Sequence, residues 1–228
     1  MKTVIFDFDG TLHQGLNIWK SLWRKLGYPI HQMSNFRELL NRFRDGELTH
    51  REWNDITAKA FRQKGLNRKM VWDIASKTQL IDGVADTFKT LKNNGYAIFI
   101  VSGNIDEVIR IALGGAAKFV DGIYANRFIY DRHENFKTIN GTDYDYQGKA
   151  RFIVEYTKQT HTPAQDITFV GDGDNDEWAH ISGCKTICFN PGEETDEGNR
   201  TKWHKVVRAD SLTALLPEIL DWQNETEI

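Results

Sequence analysis

The chain has 228 residues, of which 40% are hydrophobic and 27% charged, and its net charge is −3. That is enough for one large domain, or a core with a smaller insert, around a sizeable hydrophobic centre. It excludes a disordered chain, since 12% of the residues are aromatic, and no apolar run approaches the ~20 residues of a membrane span.

The first predicted element is "TVIFDF" (3–8), a continuous apolar run that reads as a strand buried on both faces. It begins almost at the N-terminus, with no basic-then-apolar leader ahead of it. It ends in Asp7 and Asp9, and Gly10-Thr11 follow. Strand alternation predicts the two carboxylates on the same side, and Gly10 lets the chain turn away.

Residues 13–80 show helical spacing and no convincing strand. Leu16, Trp19, Leu22, Trp23 and Leu26 form one apolar face. A second helix is expected across 34–44. Thr49-His-Arg-Glu52 is a capping box ahead of Trp53, Ile56 and Phe61, and a last helix is expected over 67–77. Most of the tryptophans here (Trp19, Trp23, Trp53, Trp72) are expected to form this segment's own small core. The segment holds 13 Lys and Arg against 6 Asp and Glu, while the rest of the chain holds 16 against 26. Such an excess is either the solvated face of long helices or a basic lid that attracts an anionic substrate. Arg42, Arg44 and Arg51 are candidates for facing the substrate, with solvent as their other destination. No basic-aromatic repeat accompanies them, so no nucleic-acid partner is expected.

Beyond residue 80 strands and helices alternate. "AIFIVS" (97–102), "DITFVG" (166–171) and "KTICFN" (185–190) read as buried strands, with "GIYANRFIYD" (122–131) as a further one. "GVADTFKTLKNNGY", "IDEVIRIAL" and "KARFIVEYTKQT" supply helices, the first ending at Asn94-Gly95. This alternation predicts an α/β fold: a Rossmann-like parallel sheet flanked by helices, with an inserted all-α cap. The expected division is a core of 1–12 and 81–228 and a cap of 13–80. Residues 190–205 read as a polar loop and the tail after Leu220 as frayed. Cys184 and Cys188 lie in or beside a buried strand and are expected to be reduced thiols of a cytoplasmic protein. Their spacing, without a second ligand pair, does not make a zinc site.

Four features fall at predicted strand-to-helix junctions, where a parallel sheet binds its ligands. They are Asp7-x-Asp9-Gly10-Thr11, Ser102-Gly103, Lys149 and "GDGDND" with Asp172, Asp174 and Asp176. Ser102-Gly103 offers a hydroxyl and free N–H groups at a helix start, which suit an anion. Asp7, Asp9, Asp172 and Asp176 cannot all stay ionised in one crevice without a cation. Hard oxygen ligands with no His or Cys nearby point to Mg²⁺, which commonly shares its shell with waters and a substrate phosphate. Lys149 and Ser102 then remain for the other phosphate oxygens. A carboxylate beside Mg²⁺ can attack phosphorus, and a second carboxyl can protonate the leaving oxygen and then activate water.

The ordered set DxDGT, Ser-Gly, Lys, GDxxxD resembles the haloacid dehalogenase-like hydrolases over almost the whole chain. The helical insert after the first motif, "RDGELT", "VSG", "ANRF" and Gly-Asp-Gly-x-Asn-Asp are similar to the phosphoserine phosphatase-type branch. The resemblance implies that Asp7 is nucleophile and Mg²⁺ ligand. It implies that Asp9 is the acid/base, binding Mg²⁺ through its backbone carbonyl. Asp172 would be a further ligand supported by Asp176. Thr11, Ser102, Gly103, Lys149 and Asn175 would hold phosphate. His13 and Gln14, where the chain leaves the motif, are candidates for touching the leaving group.

The sequence also departs from that branch. Leu16 stands where those enzymes carry the Glu that engages the substrate's amino group, and Asp55 stands where they carry a carboxylate-reading Arg. DGT replaces DST, and Asp174 fills a position usually small and apolar. The expectation is a Mg²⁺-dependent phosphatase acting on a small phosphorylated metabolite other than phosphoserine. A phosphotransferase or phosphomutase on the same core is the alternative reading, and a non-catalytic binding protein a remoter one. The sequence leaves the substrate and the oligomeric state open.

Overall fold

All four side chains of β1 (Thr3–Phe6) are buried. A strand covered on both faces has no wet side, which is why the run is almost wholly apolar. The computed structural model describes all residues except 16, 29–37, 40, 44, 174, 193–201 and 222–228. In it β1 lies in the middle of a seven-stranded sheet of order β4-β3-β2-β1-β5-β6-β7. The other strands are β2 (Ala97–Ile105), β3 (Gly122–Tyr130), β4 (Phe136–Asn140), β5 (Ile167–Gly171), β6 (Lys185–Phe189) and β7 (Lys205–Val207). All pairings are parallel except that of β3 with β4.

Alternate residues of β1 serve opposite faces. Val4 and Phe6 pack with Phe88 and Leu91 of α4 (Val84–Asn93), Ile109 of α5 (Asp106–Leu113) and Leu215 and Ile219 of α7 (Leu215–Leu220). Ile5 packs on the other face with Phe152, Ile153 and Tyr156 of α6 (Gln147–Thr160). The result is the expected Rossmann-like α/β sandwich. The strand order changes direction between β1 and β5, and crevices at such a point, beyond the carboxyl ends of the strands, hold ligands.

Three helices, α1 (Ile18–Lys25), α2 (His50–Gln63) and α3 (Arg68–Ala75), lie between β1 and β2. Asn17, Thr49 and Asn67 cap them, and Thr49 with Glu52 forms the reciprocal capping box. Of the helix expected across 34–44, residues 38–39 and 41–43 are helical and the rest lies outside the described residues, as does Leu16. Phe61 of α2 is fully buried; its ring stacks with Trp19 and meets Trp23, Phe128 and Phe136 edge to face. The helices therefore do not close a core of their own. They share one with β3, β4, Ile105 and Val108. Trp72 is 55% exposed and takes no part in it.

Two strands escaped the sequence reading. β4 follows a turn without glycine: Glu134 adopts φ +63°, and the Asp131 side chain accepts from the N–H groups of His133 and Asn135 at 2.8 and 2.9 Å. An Asp side chain thus does what an Asn-Gly pair would have advertised. β7 is three residues long and starts at Lys205, inside the stretch read as a loop. Within that stretch 193–201 lie outside the described residues, as does most of the tail after Leu220.

Candidate active site

Asp7 follows the last residue of β1, and its N–H donates to the Val170 carbonyl of β5 at 2.9 Å. That bond holds the Asp7 backbone where the two central strands end, and the residue is only 2% exposed. Asp172 and Asp176 follow β5. Carboxylate oxygens of Asp7, Asp172 and Asp176 lie within 4.8 Å of one another. Lys149, on the first turn of α6 and fully buried, ion-pairs with Asp176 and lies 3.2 Å from Asp7 Oδ1. A lysine near a helix start is ordinarily a surface charge; this one is the cation inside the carboxylate cluster.

Asp176 is fully engaged, since its Oδ2 accepts from the Asp172 and Gly173 N–H groups at 3.0 and 3.4 Å. Asp7 Oδ1 makes no hydrogen bond. Burial pushes the Asp7 carboxyl well above its ordinary range; Lys149 pulls it back, and the neighbouring carboxylates raise it again. Burial, then the Asp176 charge, pushes Asp172 up to about 8. Burial also opposes the Lys149 charge, but the Asp176, Asp7 and Asp145 carboxylates outweigh it and hold the ammonium above its ordinary value. Gly10 adopts φ +81°, and a Cβ there would overlap the Asp172 carboxylate. A glycine is thus required on both counts.

Asp9 does not share this cluster. Its carboxylate accepts from Asn104 Nδ2 at 2.9 and 3.0 Å and from Asn17 Nδ2 at 3.2 Å. Burial raises it to about 6, against the lowering effects of the His13 charge and the Asn104 hydrogen bond. Asp9 thus stands outside the trio, held by Asn104 and Asn17, yet its charge is among those that raise Asp7 and Asp172.

Ser102 and Gly103 correct an expectation. They do not start a helix: β2 runs on to Ile105, and α5 begins at Asp106 with two acidic residues in its first turn. The β2–β3 register instead slips between Val101 and Ile105, so Ser102, Gly103 and Asn104 bulge from the ladder. Ser102 Oγ accepts the Asn104 N–H at 3.2 Å. The Gly103 carbonyl accepts from Trp19 Nε1 at 3.1 Å and Asn126 Nδ2 at 2.8 Å.

Thr11 is buried with an unpartnered hydroxyl. His13 is buried, and its Nδ1 lies 2.8 Å from the Gln79 carbonyl, so it fastens the two ends of the helical segment; Gln14 is exposed. Arg42 pairs with Glu47, and Arg51 is 92% exposed. Arg44 and Asp174 lie outside the described residues.

Two site residues went unread in the sequence. Asn104 directly follows the Ser-Gly pair. Asp145, four residues before Lys149, accepts from Asn175 Nδ2 at 3.2 Å, and its carboxylate approaches Gly103 so closely that a Cβ there would sit 2.7 Å from Oδ2. The signal for both was adjacency to a predicted site residue.

The carboxylate trio suits a hard divalent cation. Three carboxylates and one ammonium, all ionised, leave two negative charges, the donors are all oxygen, and among the described residues no His or Cys joins the group.

The chain matches the haloacid dehalogenase-like hydrolase family over residues 1–180. It is 26% identical to the phosphoserine phosphatase SerB2 of Mycobacterium tuberculosis over 184 residues, which is 77% of this chain and 41% of that protein. It is 25% identical to the phosphoserine phosphatase of Archaeoglobus fulgidus, over 84% of this chain and 53% of the relative. The chain thus spans about half the length of these two relatives, but 79% of the phosphoserine phosphatase of Methanocaldococcus jannaschii, with 26% identity over 77% of this chain. A substrate-bound phosphoserine phosphatase structure superposes with a TM-score of 0.71 at 21% identity, covering 96% of this chain and 98% of that one. With this site at the sheet's carboxyl edge and this fold beneath it, the match over residues 1–180 means that the chain belongs to the haloacid dehalogenase-like hydrolases, in a branch similar to the phosphoserine phosphatases.

Proposed function

We propose that the protein is a Mg²⁺-dependent phosphatase that hydrolyses a small phosphorylated metabolite through an aspartyl-phosphate. The observation that carries this reading is the buried Lys149 set among Asp7, Asp172 and Asp176. Such a cluster is costly to maintain without a charged ligand. Asp7, Asp172 and the Asp9 backbone carbonyl would hold Mg²⁺, with Asp176 supporting. The ion would offset the carboxylate charge and that of the arriving phosphate.

Asp7 attacks phosphorus; its oxygen bonds to phosphorus as the ester P–O bond breaks. The electron pair of that bond goes to the leaving oxygen, which takes a proton from Asp9. Asp9 then accepts a proton from a water that attacks the aspartyl-phosphate, which frees inorganic phosphate and regenerates Asp7. Lys149, Ser102 Oγ, the Gly103 N–H, Asn175 and Thr11 hold the phosphate oxygens. A carboxyl raised to about 6 suits a group that both gives and takes a proton near neutrality.

Residues 1–12 and 81–228 act as the catalytic core and 13–80 as a cap that excludes water. The proposal draws on the crossing point, where His13 bridges to Leu80 and the Ile81 N–H donates to the Leu12 carbonyl at 2.9 Å. Phosphoserine is not the preferred substrate. Asp55, at the position where the family resemblance would place a carboxylate-reading Arg, is an exposed anion beside Arg51 on α2. No helix among the described residues is long and apolar enough to cross a membrane. Cys184 and Cys188 are buried and form no disulfide, which fits a cytoplasmic setting.

Asp7→Asn is expected to abolish turnover of an aryl phosphate with the fold retained by circular dichroism, and EDTA to abolish it in the native protein. Substantial turnover in Asp7→Asn refutes the nucleophile assignment. A panel of phosphomonoesters compared by kcat/KM tests the substrate reading, which a clear preference for phosphoserine overturns.

A further inference from the structure

A group of hydrogen-bond acceptors adjoins the residues proposed to hold the phosphate. Asn126 of β3 links the two: its Nδ2 donates to the Gly103 carbonyl at 2.8 Å, and its Oδ1 accepts the Thr142 N–H at 3.0 Å. Asn54 of α2 packs against the same stretch, so closely that a Cβ on Gly141 would overlap its amide. Asn54 is 6% exposed, and its Oδ1 has no hydrogen-bond partner. Its Nδ2 lies 3.3 Å from His50 Nδ1. Burial pushes the His50 imidazole below its ordinary value, against the raising effect of the Asp145 and Asp143 carboxylates. A neutral ring accepts the Asn54 N–H at Nδ1, which leaves Oδ1 as the free end of the amide. A buried amide oxygen without a partner marks a place for a donor from outside the chain.

Asp145 supplies a second acceptor. Its hydrogen bonds with described residues, from the Tyr146 N–H at 3.1 Å and the Asn175 amide at 3.2 Å, both fall on Oδ1. Oδ2 lies over Gly103. Tyr146 is held at φ +48°, a strained setting for a bulky residue, and its ring lies 5.9 Å from that of Phe43. Phe43 in turn meets the His50 ring at 5.1 Å. Aromatic faces thus flank a carboxylate.

The charge here is one-sided. Two cations lie in the field of Asp145 and His50, and both are committed: Arg151 lies 3.9 Å from Asp143, and Lys149 pairs with Asp7 and Asp176. An amide oxygen, a carboxylate and ring faces all favour one kind of group, a positive charge that bears N–H donors. A carboxylate brought to the same place would meet the like charge of Asp145.

We propose that the alcohol of the substrate is a short aminoalkyl group. Its ammonium donates to Asn54 Oδ1 and Asp145 Oδ2, with Phe43 and Tyr146 at its flank, and hydrolysis by one water yields an amino alcohol and inorganic phosphate. The inference rests on the phosphatase reading and narrows its substrate to a phosphomonoester whose alcohol bears one positive charge and no negative one.

The charge on the alcohol is the variable to test. 2-Aminoethyl phosphate and propyl phosphate match in length and differ in that charge. The measurement is kcat/KM for both, with p-nitrophenyl phosphate as a general substrate, in the native protein, Asp145→Asn and Asn54→Leu, with melting temperatures alongside. The native protein is expected to favour the aminoethyl ester at least about 10-fold, as a site built to hydrogen-bond a substrate group rejects the analogue that lacks it. In each variant that ratio is expected to fall to within about 3-fold of unity, through a raised KM for the aminoethyl ester and not through loss of the propyl ester. If p-nitrophenyl phosphate is hydrolysed but the native protein favours propyl over aminoethyl, or treats them alike, the inference is overturned and the phosphatase reading stands. A preference that survives in Asp145→Asn overturns it too, whatever Asn54→Leu shows. If none of the three esters is hydrolysed, the phosphatase reading falls and this inference with it.

Discussion

Lys149 Nζ lies 3.2 Å from Asp7 Oδ1, and both side chains are buried. The ammonium also pairs with Asp176, so one cation faces two carboxylates, with Asp172 close behind. Lys149→Met retains the aliphatic stem and removes the charge. Breaking a buried pair from one side costs about 3–5 kcal/mol, because the partner stays buried and uncompensated. Urea unfolding in EDTA should register a loss of that order, and saturating Mg²⁺ should return part of it. Activity should fall about 100- to 1,000-fold, as when a preorganised phosphate donor is removed. A variant as stable as the native protein in EDTA would show that the pair is not the main compensation in the cluster.

The raised carboxyls make a prediction about pH. Asp172 at about 8 and Asp9 at about 6 hold protons that the unfolded chain releases near pH 4. Between those limits the folded metal-free protein binds more protons than the unfolded one. Its stability is therefore greatest at the acidic end and declines as pH rises toward about 8, where the loss levels off. A bound divalent cation displaces those protons. The gain in melting temperature on adding Mg²⁺ should thus be small at pH 5 and larger at pH 8. Equal gains at both would mean that the cation does not occupy this carboxylate group.

Much of the site was legible because it follows from adjacency in sequence. Asp7 and Asp9 sit one residue apart at the end of an apolar run, and any parallel sheet puts such an end where ligands bind. Lys149 was legible only by its place in an ordered set of motifs. Its complete burial comes from α6 packing across the sheet, which no local pattern reveals. The same limit hid the bulge at Ser102–Asn104, since a slip in register belongs to two strands at once. It hid β4 as well, a five-residue strand whose face is completed by Phe61 of α2, 75 residues before Phe136.

Gly10→Ala separates backbone strain from the crowding of a carboxylate. Gly10 and Gly65 have positive φ, +81° and +70°, but a Cβ on Gly10 overlaps Asp172 whereas one on Gly65 meets nothing within 4 Å. Both alanine variants carry the left-handed penalty of about 1–2 kcal/mol. Only Gly10→Ala also displaces the Asp172 carboxylate. The Mg²⁺ concentration for half-maximal activity is expected to rise at least about 10-fold in Gly10→Ala, by analogy with the disruption of groups that orient metal ligands. It should not move in Gly65→Ala. A shift of the same size in both would assign the effect to general destabilisation.

Asp145 stands where a phosphate would compete with it. Its carboxylate takes the Asn175 amide at 3.2 Å, crowds Gly103 and adds to the field that holds the Lys149 proton. Those are three of the groups proposed to hold the phosphate. An anion entering that position must displace a like charge or lie beside it, and either is unfavourable at short range in a partly dry site. Asp145→Asn removes the charge with little change in shape. Inorganic phosphate should then inhibit more tightly, with a competitive inhibition constant lowered several-fold, and KM for an aryl phosphate should fall in parallel. The Asp7→Asn background permits the same measurement by calorimetry, free of turnover. Weaker phosphate binding in Asp145→Asn would instead mean that Asp145 holds Asn175 in its working position, and that its charge is not a competitor.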